Sequence, residues 1–95
     1  MPKVPASTKG LQLRLYVAGS APNSLCAIAN AKAICGAHFV QHDLEIVNML
    51  DEPHRAMADG IVVSPTLLKL LPLPVVRVVG DLSDTGRVIL ALARR

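Results

Sequence analysis

The sequence predicts an α/β fold in which the elements follow as β-α-β-α-β-β-α around one mixed four-stranded sheet. Three observations predict it: strict apolar alternation from residue 11, an alanine-rich helical run behind it, and a second half in which prolines and glycines punctuate short apolar, partly β-branched segments. In the first strand Leu11, Leu13, Leu15 and Val17 point one way and Gln12, Arg14 and Tyr16 the other. Gly19-Ser20-Ala21-Pro22 ends it. Ser20 is placed to cap the next helix, and Pro22 suits a first turn whose amides have no partners inside the helix. That helix is expected to run to about Cys35, with Gly36 terminating it. Ala27, Ala29, Ala31 and Ala33 make its interior strongly helix-forming. Leu25, Ile28, Ala31 and Cys35 form the stripe expected to face the sheet.

Leu44 to Leu50 reads as a second strand whose apolar residues break strict alternation, as in a strand covered on both faces. Strand, helix and strand at this spacing make a right-handed unit with parallel strands. Asp51 is placed to cap a short helix through Ala58, with Pro53 in its first turn and Gly60 closing it. Leu67 to Leu71 follows Ser64-Pro65-Thr66, Pro72-Leu73-Pro74 turns the chain, and Val75 to Val79 is a β-branched strand broken by Gly80-Asp81. Ser83 is placed to cap a last helix from Asp84 to about Ala93, with the Asp84 carboxylate at its positive end and Arg94-Arg95 at its negative end. A parallel unit beside an antiparallel hairpin is the thioredoxin-like plan, in which the residue at Pro65 is commonly a cis proline opening the third strand. Residues 1–10 read as a loose arm and 11–95 as one domain.

Composition removes several functions. Hydrophobic residues make up 52% of the 95, too many for a disordered chain. Tyr16 and Phe39 are the only aromatics, so there is no platform on which nucleic-acid bases could stack. The net charge is +3, but Lys3, Lys9, Arg94 and Arg95 lie near the chain ends and do not outline a nucleic-acid groove. Lys3, Lys9 and Arg14 interrupt any apolar leader, and the most apolar stretch, Ile61 to Val79, contains Pro65, Lys69, Pro72, Pro74 and Arg77, which excludes a membrane span. Two cysteines without a disulfide framework suit the cytoplasm.

The thioredoxin-like order invites a redox reading, which the residues do not support. The turn into the first helix reads Ala21-Pro22-Asn23-Ser24 and holds no cysteine pair. Cys26 and Cys35 stand nine residues apart on one helix, roughly 13 Å of rise, beyond the ~7 Å limit of a disulfide. Both are expected to be small core residues. Cys35, His38 and His42 have zinc-like spacing but no fourth ligand nearby in sequence, and Gly36 is expected to break the helix between them. Ser24, Ser64 and Ser83 have capping or turn roles instead of a recognisable histidine and carboxylate. No phosphate loop is present. The chain is therefore expected to be non-catalytic and to need no cofactor.

Five runs, Leu15-Tyr16-Val17-Ala18-Gly19, Pro22-Asn23-Ser24, Ser64-Pro65-Thr66-Leu67, Lys69-Leu70-Leu71-Pro72 and Gly80-Asp81-Leu82-Ser83-Asp84, resemble the KaiB family of circadian-clock proteins, in the right order and over about residues 11 to 92. The KaiB-like sensory domain of the clock kinase SasA is a related pattern. The resemblance implies an adaptor that binds the N-terminal ring of the clock ATPase KaiC, competes with SasA and, in cyanobacteria, sequesters KaiA. It also implies a metamorphic chain, with a resting fold that is usually tetrameric and a thioredoxin-like monomer that binds KaiC. Where the family often carries lysines, this chain has Ala29, Glu45 and Gly60, a loss of positive charge that predicts weaker attraction to an acidic partner. Lys32, Lys69 and Arg77 keep the basic character and are the expected partner-binding residues. Pro65, Ala91 and Ala93 are the expected fold-switch positions. Family members commonly place glycine at 91 and aspartate at 93, and alanine at both favours helix by about 1 kcal/mol plus a few tenths, roughly a tenfold shift. The thioredoxin-like monomer is thus the expected state and the resting tetramer its alternative. A KaiB-like signalling or stress adaptor without a full clock, and a degenerate redox protein using Cys26 alone, are the other functional readings.

Overall fold

The computed structural model describes residues 10–39 and 41–93. The expected arm, apart from Gly10, and the Arg94-Arg95 helix end lie outside the described residues. Seven elements follow in the expected order: β1 (Leu11–Val17), α1 (Pro22–His38), β2 (His42–Asn48), α2 (Pro53–Ala58), β3 (Thr66–Leu71), β4 (Val76–Val79) and α3 (Thr85–Leu92). The strands form one sheet in the order β2-β1-β3-β4. β2 runs parallel to β1, while β3 and β4 are antiparallel to their neighbours. This is the mixed four-stranded thioredoxin-like sheet.

Alternation in β1 divides the interior into two layers. Leu11, Leu13, Leu15 and Val17 pack with Ala27, Ala31, Ile34 and Cys35 of α1, Leu67 of β3, Leu82, and Val88 and Leu92 of α3. On the other face Tyr16 packs with Val47 of β2, Ala56 of α2 and Ile61.

Several local expectations are corrected. Gly36 does not end α1, which continues to His38 and closes where the Phe39 amide donates to the Cys35 carbonyl at 3.0 Å. The N-cap position is Ala21, with no side-chain cap from Ser20. Ser24 is buried, and its hydroxyl accepts from the Ala18 amide at 3.0 Å. The buried stripe of α1 is Ser24, Ala27, Ala31, Ile34 and Cys35, whereas Leu25 is 54% exposed. β2 is an outer strand in which only Val47 is fully buried; Leu44 packs toward one face and Val47 toward the other, so its irregular pattern reflects partial cover on both faces at an edge. Glu52, not Asp51, occupies the N-cap position of α2, without a side-chain cap. Gly60 does follow α2 with φ +71°, a left-handed conformation that glycine adopts without strain. Asp84, not Ser83, caps α3, its Oδ1 accepting from the Arg87 amide at 3.2 Å. The Ser64–Pro65 peptide is cis, as are Leu71–Pro72 and Leu73–Pro74.

Candidate partner-docking site

The three basic residues expected to meet a partner do not form one patch. Lys32 is exposed on α1. Lys69 is fully buried in β3, opposite Leu13 of β1 and Val76 of β4. Its expected place on an accessible surface is therefore corrected for this conformation: alternation puts Lys69 on the same side of β3 as Leu67, the side covered by the main core. Arg77 is exposed but engaged, its guanidinium donating to the Asp59 carbonyl at 2.8 Å and the Gly60 carbonyl at 3.2 Å. It thereby ties β4 to the end of α2. Of the fold-switch positions, Pro65 is buried at the entrance to β3, Ala91 is half-buried in α3 and Ala93 is the exposed C-cap of α3.

The polar residues of the second sheet face assemble into a network that sequence reasoning missed. Arg14 of β1 donates from Nη1 to Asp59 Oδ2 at 2.8 Å and from Nε to Glu45 Oε1 at 3.1 Å. Arg55 of α2 grips both oxygens of Glu45, at 2.7 and 2.8 Å, the fork geometry that makes an arginine–carboxylate pair directional. The Tyr16 hydroxyl lies 2.5 Å from Asp59 Oδ2 and 3.1 Å from the Arg55 carbonyl. Hydrogen bonding from Tyr16, reinforced by Arg14, holds the Asp59 carboxyl below the usual aspartate range despite its partial burial. Arg55, and then Arg14, do the same for Glu45. Burial, with Asp59 beside it, raises the Tyr16 hydroxyl. The only sequence signal was that Arg14 and Tyr16 share the polar side of an alternating strand. Nothing in the sequence pairs positions 14 and 16 with 59.

This arrangement ties α2 to the three strands beneath it. Cys35 is buried, and burial raises its thiol, while Cys26 is exposed, which corrects the expectation that both lie in the core. Among the described residues no group of three or more His, Cys, Asp or Glu side chains is placed to hold a metal ion. No helix among them is long and apolar enough to cross a membrane. Exposed large apolar side chains lie at both ends of the sheet: Leu25, Leu50, Val62 and Val63 where β1 and β2 finish, and Leu71, Leu73 and Val75 at the turn between β3 and β4.

Sheet order and the parallel β1-α1-β2 unit define a thioredoxin-like protein whose two cysteines lie apart on α1. Solved structures agree on the fold. The thioredoxin Deadhead of Drosophila melanogaster superposes with a TM-score of 0.73 over 93% of this chain and 83% of its own, at 11% identity. The N-terminal domain of Synechococcus elongatus SasA superposes with a TM-score of 0.72, covering 95% of this chain and 86% of that domain, at 29% identity. The KaiB domain model matches residues 14–93, and the chain belongs to the KaiB family. It is 44% identical over 81 residues to the circadian clock protein KaiB3 of a Synechocystis species and, equally, to the circadian clock oscillator protein KaiB of Synechococcus elongatus, in each case 84% of this chain and 79% of the relative.

Proposed function

We propose that this chain is a non-catalytic, cytoplasmic clock adaptor that binds the N-terminal ring of KaiC and competes there with SasA. The observation that carries the reading is the coincidence of a KaiB sequence with the backbone of a SasA domain. Two proteins with one backbone can contend for one surface. Lys32 is a proposed contact, and Arg77 contributes by fixing the end of α2. KaiA is a proposed further partner, whose capture is the step most exposed to the charge reversal at Glu45.

Size-exclusion chromatography of the protein with KaiC, with and without ATP, tests the reading. Co-elution with KaiC and displacement of prebound SasA are expected. Absence of a KaiC complex under every nucleotide condition overturns it. KaiA added to the preformed complex tests the third component separately.

A further inference from the structure

The two faces of the sheet hold their helices by different forces. On the α1 and α3 side the alternate apolar residues of β1, the buried apolar residues of α1, and Leu67, Leu82, Val88 and Leu92 make one continuous, largely aliphatic core. On the α2 side, among the described residues, the buried cluster is Tyr16, Val47, Ala56 and Ile61 with Met49 half-buried against it, and α2 itself contributes one of these residues, Ala56. A six-residue helix is far too short to persist by itself in water. Most of what fixes α2 is therefore polar.

Those polar contacts reach α2 from three strands. From β1 come Arg14 and Tyr16, both to Asp59 Oδ2, with Tyr16 also reaching the Arg55 carbonyl. From β2 comes Glu45, gripped by Arg55. From β4 comes Arg77, to the carbonyls of Asp59 and Gly60. Glu52, ahead of the helix, adds a longer contact to Arg55 at 3.5 Å, and His54 is exposed on α2. Asp59 joins these systems, since its carboxylate serves β1 and its carbonyl serves β4.

We propose that residues 52–61 form a separately releasable plate, latched through Asp59 and Glu45, that opens by salt or acid while the sheet, α1 and α3 stay folded. Opening uncovers Tyr16 and Val47, an apolar strip in the middle of the sheet. Partly exposed ion pairs are screened by salt, whereas aliphatic burial is not, so salt separates the two faces at neutral pH. Acid does so only once the carboxylates protonate, below their ordinary range, because hydrogen bonding holds both low. This inference does not depend on the clock reading.

Native-state hydrogen exchange tests it, read at the Asp59, Gly60 and Ile61 amides, which donate to Arg55, Met57 and Ala56. In the wild type these amides are expected to exchange by openings that urea accelerates, but less steeply than it accelerates the global unfolding that β1 and α1 amides follow, and about tenfold faster in 1 M salt. Glu45→Gln and Asp59→Asn should each lower protection in α2 by about tenfold more than in β1. Glu45→Gln, at a half-exposed side chain, decides the matter if the Asp59 variant does not fold. The proposal is overturned if the α2 amides share the urea and salt dependence of α1, or if Glu45→Gln lowers protection equally throughout the chain.

Discussion

Asp59 ends a helix of six residues, yet Arg14 and Tyr16 converge on its carboxylate and Arg77 on its carbonyl. Charge-assisted bonds of this kind are stronger than neutral ones, and the buried Tyr16 hydroxyl would be costly to leave unpaired. Their effect has a direction in pH. The Asp59 and Glu45 carboxyls sit below their ordinary values of 3.8 and 4.5 in the folded chain. Their contribution to stability is therefore complete above about pH 5 and is lost as pH falls through the lowered folded values. Melting temperatures measured from pH 2.5 to 7 should drop through that window in the wild type. Asp59→Asn should start lower at pH 7 and follow a flatter acid limb. Parallel curves for the two proteins would show that Asp59 is not a source of the pH dependence.

At the level of elements, α1 and α3 each carry a glycine that the fold does not require. Gly36 lies in the last turns of α1 and Gly86 in the first turn of α3, neither has positive φ, and an added Cβ at either would meet nothing within 4 Å. Gly36→Ala and Gly86→Ala should each stabilise the protein by about 0.5–1 kcal/mol in urea unfolding, because alanine loses less backbone freedom in a helix. A loss of stability at Gly36 would contradict its place inside the helix. The same elements show which features were readable. β1 could be read because alternation in a half-polar strand is unambiguous. The phase of α1 could not, because alanines at 27, 29, 31 and 33 offer no apolar face and the large Leu25 suggested the wrong one. The edge position of β2 was hidden for a related reason: Leu44 packs toward the main core and Val47 toward the second cluster, which in sequence looks like burial on both sides. The docking residues were least readable. Positive charge at Lys69 says nothing of whether a strand is internal, and the Arg14–Asp59 pair spans 45 positions.

For the whole molecule, the last eight-residue helix is where the KaiB resemblance meets the fold. Val88 and Leu92 of α3 are buried in the main core, so this segment is committed to it as helix here. A monomeric free protein is the expectation that this helical segment and the helix-favouring Ala91 and Ala93 support. NMR at low concentration should give helical shifts from Thr85 to Leu92 and relaxation of a 10.1 kDa particle. Extended shifts across Val88 to Leu92 with slow tumbling would place the free chain in the tetrameric alternative. The layered sheet has a last consequence for β1, whose successive side chains meet aliphatic groups and charged groups in turn. Were this strand to slide by one position against its neighbours, Arg14 would enter the oily side and Leu13 and Leu15 would face carboxylates. Misalignment is thus penalised twice over, so the central strand acts as its own proofreader.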